Sequence, residues 1–469
     1  MVRPAAPLER ALGPLAASAL LAGTVIGTGI FLVPSTIARE TGSLEGTLAI
    51  WVLGAIISLL GALSYAELGA ALPEAGGEYA FLRHAYGPSV GFLFGWQQIV
   101  MGKTGSIAAI GLASSLFIGY LVPGLLEGGR LDQSGWVNTT QLMAISWIVL
   151  LTLANLLGAG AGGFLQTLLT ALKILAIIAL IVLAFQLGEA QTSPALGPER
   201  GIDQTPLGQW TRWGAALSAA LWAYDGWNNL TLVSGEIKNP DRTIPRILIT
   251  GLVMVSALYL ATNLAYFHVL PLGVIQSSSH VAQDLAQQLL GEPGARYLTL
   301  AAVLSTLAAL NGAILSGARV FYAMSRDGLF FHPLAKLHPR HRTPRRALLL
   351  QMALATGLIL LLGRDQAAFE RVLDYALFGT WGFYGLTAFA VIRLRQKAPS
   401  LERPFKTPGY PWIPGGFVGV AMIFCANIAY RRPEETIMGL LLLAAGVPFF
   451  LWRQKQRPPA GTSPNNPGP

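Results

Sequence analysis

The stretch GTVIGTGIF, from Gly23 to Phe31, interrupts a long apolar run near the start of the chain. A second stretch of this kind, WAYDGWNN from Trp222 to Asn229, interrupts another apolar run near the middle. Glycine has a low helix propensity, and Asp225 beside Gly226 places a charge and a flexible residue where an unbroken apolar helix would otherwise continue. Both runs are therefore predicted to be membrane helices that break near their centres.

The composition of the whole chain is that of an integral membrane protein. Of its 469 residues, 53% are hydrophobic and 12% are charged, whereas about 25% of the residues in an average soluble domain are charged. So few charged side chains cannot cover a water-facing surface, which excludes a soluble globular protein. The net charge of +9 gives no support for nucleic acid binding, because the basic residues lie between the apolar runs and form no patch.

Apolar runs long enough to cross a bilayer of about 30 Å predict an all-α fold of twelve transmembrane helices. Because five spans separate the two interrupted runs, the second of them enters the membrane from the opposite side. This arrangement is typical of a five-plus-five inverted repeat, in which discontinuous helices 1 and 6 form a binding site at the membrane midplane. The single transmembrane domain is predicted at 13–452, with a first repeat at 13–186, a second at 211–393, and helices 11 and 12 at 411–452. The spans are predicted near 13–38, 45–71, 87–120, 138–160, 164–186, 211–234, 245–269, 294–324, 345–363, 368–393, 411–430 and 434–452.

The distribution of Lys and Arg predicts the orientation of the chain in the plasma (inner) membrane. When basic residues at the ends of the spans are counted in the adjoining loops, the N-terminus, the even-numbered loops and the C-terminus hold 20 of the 32 Lys and Arg residues, the odd-numbered loops hold 9, and the spans hold 3. Basic loops stay preferentially on the cytoplasmic side. Both termini and the basic segment Arg326–Arg346 are therefore predicted to be cytoplasmic. The tail at 456–469 is rich in proline and polar residues and is predicted to be disordered.

Each helix break leaves free backbone groups that suit a zwitterion. The half-helix that begins near Thr28 presents N–H groups with positive dipole character, which bind a carboxylate. Carbonyl groups near Ile26 and Ala223 would accept hydrogen bonds from an ammonium group. Glycines in membrane helices often serve only close packing, but two breaks that lie five spans apart favour a binding site. The predicted substrate-binding residues are Ile26, Gly27, Thr28, Gly29, Ile30, Trp222, Ala223, Tyr224, Asp225 and Gly226.

Lys173 is predicted to act as a fixed cation beside the first break. It lies deep within the fifth span, where an ammonium group costs at least about 2.5 to 3.5 kcal/mol unless it has partners. The unwound carbonyl groups of span 1 are the nearest candidates. A lysine in this position can occupy the place of a bound cation, or it can be a structural tether between helices. Lys103 in span 3 has partly polar neighbours and is interpreted as structural.

Two residues at the second break have two interpretations each. Asp225 either binds a cation, a proton or a cationic side chain, or it caps the end of a broken helix. Trp222 either covers the binding site or packs within the bundle. The sequence alone leaves both choices open.

The remaining motifs give no support for an enzyme. GAGAGG, from Gly158 to Gly163, matches a dinucleotide-binding pattern by its letters, yet it follows a membrane helix and is predicted to form a tight cytoplasmic turn. The six histidines lack the spacing of metal ligands, and the single cysteine, Cys425, excludes a disulfide framework. No cofactor or metal is expected. A membrane sensor or an intramembrane enzyme is a remote alternative, because no catalytic cluster or signalling segment is visible.

Five segments of the chain resemble the amino acid-polyamine-organocation superfamily and, within it, the bacterial members of the L-type amino acid transporter group. The resemblance covers about residues 13–452. The segments are GTVIGTGIFLVP (23–34), PEAGGEYAFLRHAYGP (73–88), WAYDGWNNLTLVSGEIKNPDRTIPR (222–246), LNGAILSGARVFYAMSRDGLFF (310–331) and RPFKTPGYPWIP (403–414).

The resemblance implies a LeuT-type fold, alternating access, and an amino acid bound between the breaks of spans 1 and 6. It also implies that Lys173 stands where sodium-coupled relatives hold an ion, and that Trp222 is a gating aromatic residue. Asp225 matches the aspartate of family members that accept cationic amino acids. The function implied is that of a sodium-independent amino acid exchanger embedded in the lipid bilayer. The alternative is a proton-coupled amino acid symporter in which Lys173 is the titrating group.

The resemblance also bears on partner proteins. Animal members of the group pair with a single-span glycoprotein through a cysteine in the loop after span 3, but residues 121–137 contain no cysteine. No disulfide-linked heavy subunit is therefore expected.

The predicted orientation can be tested by cysteine labelling in a Cys425→Ala background. A cysteine introduced at Gly461, in the tail, should react with a membrane-impermeant maleimide only after the cells are permeabilised, whereas a cysteine at Gly128, in the loop after span 3, should react on intact cells. Labelling at Gly461 on intact cells would contradict the cytoplasmic assignment of the C-terminus.

Overall fold

The computed structural model describes residues 8–122, 137–190, 205–363 and 366–456. Within these ranges the regular secondary structure is helical, apart from one isolated β-bridge between Leu12 and Ile237. The predicted all-α fold is confirmed. The predictions for the loop after span 3 and for the tail fall largely on residues outside the described ranges.

Each of the twelve predicted spans contains a helix. A π-helical turn, Gln98–Gly102, lies within span 3, and short 3-10 helices occupy Ser234–Glu236 and His332–Ala335. In chain order the α-helices are α1 (Pro14–Val25), α2 (Gly29–Thr41), α3 (Leu44–Ala71), α4 (Glu78–Tyr86), α5 (Pro88–Gln97), α6 (Lys103–Leu121), α7 (Thr139–Leu156), α8 (Ala159–Leu187), α9 (Pro206–Tyr224), α10 (Asn229–Leu232), α11 (Pro240–Val269), α12 (Leu272–Ser277), α13 (Val281–Arg326), α14 (Arg345–Leu362), α15 (Gln366–Lys397), α16 (Trp412–Arg431), α17 (Pro433–Ala444) and α18 (Gly446–Lys455).

Length and composition identify most of these helices as membrane spans. Among the described residues, nine helical segments are long and apolar enough to cross a bilayer, and the bent pair of α1 and α2 makes a tenth. The ten do not include α9 or α15, which correspond to predicted spans 6 and 10. The total of twelve transmembrane helices stays a prediction.

Four pairs of helices that lie five spans apart pack against each other. α3 of span 2 packs against α11 of span 7, α6 of span 3 against α13 of span 8, and α7 of span 4 against α14 of span 9. In the same way, α2 of span 1 packs against α9 of span 6. This pairing brings the two helix breaks together inside the bundle, while the residue boundaries of the two repeats stay predictions.

The predicted turn at GAGAGG is wrong. Residues 159–163 form the first turn of α8, and only Gly158, with φ of 129°, stays outside the helix. The small residues allow the start of α1 to pack closely, because a Cβ atom at Gly163 would lie 2.8 Å from the side chain of Leu12. A turn was predicted because glycine disfavours helix, and here tertiary packing overrides that propensity. Since α8 begins earlier than predicted, Lys173 is its central residue.

A buried ion pair joins span 8 to the segment that follows span 6. Arg319 of α13 and Glu236 are 2.9 Å apart, with side chains 0% and 1% exposed. The backbone of Glu236 also accepts a 2.9 Å hydrogen bond from Leu12 N, and Lys238 N donates to Leu12 O. The segment before α1 is thus attached to the end of span 6.

Candidate functional site

Both predicted helix breaks are present. Residues 26–28 separate α1 from α2, and these two half-helices differ in direction by 40°. Residues 225–228 separate α9 from α10. Within the second break, Gly226 has φ of 109°, a left-handed conformation that residues with a side chain rarely adopt. The local sequence therefore terminates a helix at each place where the pattern predicted it.

The two breaks contact each other. A Cβ atom at Gly29 would lie 2.7 Å from Ala223, and one at Gly226 would lie 2.9 Å from the carbonyl oxygen of Thr24. The Thr24 hydroxyl lies 2.9 Å from Gly226 O. Glycine at both positions is thus needed for the backbones to approach closely, which agrees with the packing interpretation as well as with a binding site.

Lys173 bonds to carbonyl groups that the first break leaves free. Its side chain is 1% exposed, and Nζ donates to Gly23 O at 2.7 Å and to Ile26 O. Gly23 O is free because the N–H of Gly27 donates to Val25 O and does not continue the helical hydrogen-bond pattern. The ammonium group therefore satisfies carbonyl groups of the broken backbone, and its role in place of a bound cation stays a prediction.

Tyr259 of α11 connects the two breaks, although the sequence analysis did not identify it. Its hydroxyl lies 2.9 Å from Val25 O and 3.1 Å from Ala223 O, so that one donor is shared between the ends of α1 and α9. Ser305 of α13 donates to Ile26 O at 3.0 Å. A tyrosine or a serine in a membrane helix carries no sequence signal of such a role, because the position of its partner depends on packing.

The predicted substrate groups are only partly available. The start of α2 provides the N–H groups of Gly29 and Ile30 for a carboxylate, as predicted. By contrast, the carbonyl groups of Ile26 and Ala223 already accept hydrogen bonds from the protein. Ile26 O already accepts from Lys173 and Ser305, which occupies both of its lone pairs, so a substrate ammonium group would have to replace one of these donors. Ala223 O accepts from Tyr259, and a substrate ammonium group could share it.

Asp225 is partly exposed and has partners within the protein. Tyr384 of α15 donates to its carboxylate at 2.7 Å, and the backbone N–H of Gly226 also bonds to it. The charge of Lys103 attracts the same carboxylate. These contacts account for part of its environment, while capping of a helix end and selection of cationic side chains both stay predictions.

Trp222 is 43% exposed and lines a cavity of about 440 Å³ between α9, α15 and α16. Trp381 and Phe424 line the same cavity, and Arg431 lies at its edge with Asn427. Its ring has open space beside it, which a gating residue needs in order to move. The gating role of Trp222 stays a prediction.

A helical membrane protein with two apposed helix breaks, one of which is bonded to a buried lysine, has the architecture of a secondary transporter. The chain belongs to the amino acid permease family, whose model matches residues 12–443. The predicted membership of the amino acid-polyamine-organocation superfamily is confirmed.

The chain is also similar over nearly its whole length to individual transporters. The serine/threonine exchanger SteT of Bacillus subtilis (strain 168) is 31% identical over 453 residues, which cover 96% of this chain and 98% of SteT. The b(0,+)-type amino acid transporter 1 of Homo sapiens is 30% identical, with 96% of this chain and 90% of the relative covered. The cystine/glutamate transporter of Homo sapiens is 30% identical, with 96% and 87% covered. The relatives are named for different amino acids, so the similarity does not identify one substrate.

The bridging role of Tyr259 can be tested by comparing Tyr259→Phe with Thr262→Val. Both hydroxyl groups are buried in α11, but the hydroxyl of Thr262 donates at 2.7 Å to Leu258 O within its own helix. An unpaired buried polar group costs about 1 to 3 kcal/mol, and about 1.4 kcal/mol is tenfold in a rate or an affinity. We expect Tyr259→Phe to lower amino acid counterflow about tenfold or more in proteoliposomes.

Thr262→Val serves as the matched control, because it also removes one buried hydroxyl group from α11. Counterflow by this variant should stay within about threefold of wild type. Equal losses of counterflow in the two variants would show that Tyr259 is only one more buried hydroxyl group.

Proposed function

We infer that the protein is a sodium-independent amino acid exchanger that works by alternating access. One observation carries this inference, namely the hydrogen bonds from Lys173 Nζ to the carbonyl groups of Gly23 and Ile26 at the first break. A covalently attached ammonium group there makes a dissociable cation unnecessary. Membership of the amino acid permease family supports the substrate class, and the similarity to a serine/threonine exchanger supports exchange.

We propose that the amino acid binds where the two breaks meet. Its carboxylate would accept hydrogen bonds from the first N–H groups of α2, at Gly29 and Ile30, and Thr28 and Gly27 would line the same turn. Its ammonium group would share the carbonyl groups of the ends of α1 and α9. Trp222 and Tyr224, on the last turn of α9, would then lie near the side chain of the substrate.

Asp225 and Gly226 would complete this site from the second break. The carboxylate of Asp225 is held by Tyr384 and faces the charge of Lys103. These contacts support a role in shaping the break.

We propose that both termini are cytoplasmic and that the chain functions without a disulfide-linked heavy subunit. The excess of Lys and Arg in the termini and even-numbered loops supports the orientation. The only cysteine, Cys425, lies within α16 and is partly buried, with Sγ 3.8 Å from Phe378 O. A cysteine inside a membrane helix is poorly placed to bond with a soluble or single-span partner.

Counterflow in proteoliposomes tests the proposed function. Vesicles loaded with unlabelled amino acid should take up the same labelled amino acid, from a panel of neutral, cationic and anionic ones, and uptake should be unchanged when choline replaces sodium. Empty vesicles should accumulate little label. Uptake into empty vesicles as fast as into loaded ones would contradict exchange, and acceleration by an inward proton gradient would favour proton-coupled symport.

The fixed cation is tested by Lys173→Ala, with the exposed Lys238→Ala as the matched control. Loss of a buried hydrogen-bonded charge typically costs about 3 to 5 kcal/mol, so counterflow by Lys173→Ala should fall below about 1% of wild type while Lys238→Ala stays near wild type. Full activity of Lys173→Ala without sodium would exclude the proposed role.

A further inference from the structure

The segment PEAGGEY (73–79), between spans 2 and 3, packs against the backbone that follows the second break. Gly76 N donates to Leu232 O at 2.9 Å. Gly77 has φ of 43°, and a Cβ atom there would lie 2.5 Å from the carbonyl group of Thr231. The two glycines therefore allow this loop to lie directly against α10, and they place the next residue, Glu78, beneath the break.

Glu78 is fully buried and accepts two hydrogen bonds. The hydroxyl of Tyr65 donates to Oε1 at 2.5 Å, and Asn228 Nδ2 donates to Oε2 at 2.9 Å. Both partners are donors, so the ionised carboxylate fits this environment. Asn228 is the last residue of the second break, directly before α10 begins. Glu78 thus holds the side chain of the residue that precedes this helix.

Lys103 holds the neighbouring residue from the opposite direction. It is 8% exposed, and Nζ donates to Oδ1 of Asn229. Ser316 of α13 donates to the same oxygen at 3.2 Å. The side-chain N–H group of Asn228 therefore bonds to the carboxylate of Glu78, while the side-chain oxygen of Asn229 bonds to the ammonium group of Lys103.

We propose that Glu78 and Lys103 form a charged clamp on the dipeptide Asn228–Asn229, and that this clamp is a positioning device that fixes the second helix break for transport. The proposal rests on the proposed function, because the break it positions is the proposed amino acid site. Neither Glu78 nor Lys103 needs to touch the substrate. Their effect reaches it through the backbone between Gly226 and Asn229.

The charges near the clamp make its two members interdependent. The carboxylates of Asp225 and Glu78 both attract the Lys103 ammonium group, and the charge of Lys103 stabilises ionised Glu78. Removing one member of a buried pair of opposite charges leaves the other uncompensated, whereas removing both leaves neither charge unpaired. The clamp therefore predicts that the double variant is less impaired than the two single variants imply.

The clamp also predicts a pH dependence of exchange. Burial raises the pKa of Glu78 to about 7, although the hydrogen bonds from Tyr65 and Asn228 and the charge of Lys103 act in the opposite direction. The other groups that influence this carboxyl are Asp225, in the break, and Tyr384 of α15. Above pH 7 the ionised carboxylate accepts the hydrogen bonds of Tyr65 and Asn228. Below pH 7 Glu78 carries a proton that has no acceptor there, because both of these partners are donors. The contacts that hold Asn228 therefore weaken, and exchange should fall.

The test compares Glu78→Gln, Lys103→Met and the double variant with the wild type, with the exposed Glu45→Gln and Lys336→Met as matched controls. Counterflow of labelled amino acid is measured from pH 5.5 to 8.5, with equal pH on both sides of the membrane. Each single variant should lower the rate about tenfold or more. The double variant should retain clearly more than the product of the single effects, and Glu78→Gln should lose the decline of the wild type below about pH 7.

The thermal unfolding midpoint of the purified protein in detergent is also measured for the wild type, the two single variants and the double variant. Single effects that simply add in both assays would overturn the clamp, as would a wild-type rate that is flat across pH 7. If the wild type exchanges no amino acid, the proposed function fails, and the unfolding midpoints still decide whether the clamp exists. The variants could have non-additive effects on the unfolding midpoint and yet leave the counterflow rate unchanged. In that case Glu78 and Lys103 would only stabilise the fold, and the proposed role in transport would be wrong.

Discussion

A membrane helix that breaks at its centre exposes backbone carbonyl and N–H groups in a place where water cannot satisfy them, and the rest of this structure depends on how those groups are paired. At the first break the main solution is Lys173, whose Nζ donates to the carbonyl groups of Gly23 and Ile26. The buried ammonium group and the orphaned carbonyl groups each need a partner, and each is costly alone. The pairing thus explains why a lysine lies at the centre of α8.

The same requirement recurs around both breaks and selects the neighbouring side chains. Tyr259 donates to carbonyl groups at the ends of α1 and α9. Tyr266 serves Ile30 O, which the helix cannot satisfy because the residue four positions later, Pro34, has no N–H group. Hydroxyl groups of α11 therefore hold both halves of span 1, so that span 7 acts as a common support for the two discontinuous helices.

Close backbone contact places the first residue of α2 against the end of α9, beside the second break. Gly29 lies against Ala223, and the conformation of Gly226 is one that only glycine adopts readily. A zwitterion placed there would meet N–H groups on one side and carbonyl groups on the other. Because those carbonyl groups already have protein donors, substrate binding would redistribute existing hydrogen bonds and create few new ones, which suits a site that must release its ligand on either side of the membrane.

The sequence predicted the features that depend on local pattern. The helix breaks follow from glycine and Asp225 within apolar runs, and the contact of Lys173 with carbonyl groups of span 1 follows from the cost of a charge in hydrocarbon. Tyr259 was not predicted, because it lies 234 residues from Val25 and only the fold brings them together. Lys103 was interpreted as structural because of its partly polar neighbours, and its contact with Asn229 was not predicted because the two residues are 126 positions apart. GAGAGG failed as a turn because packing against Leu12 outweighs the low helix propensity of its glycines.

The most direct test of this account is an experimental structure of the protein with a bound amino acid, determined in a buffer that contains sodium. The account predicts that the substrate carboxylate lies within hydrogen-bond distance of the N–H groups of Gly29 and Ile30, while Lys173 Nζ still bonds to the carbonyl groups of Gly23 and Ile26. A sodium ion at those carbonyl groups with Lys173 displaced, or an amino acid bound only in the cavity beside Trp222, would contradict it.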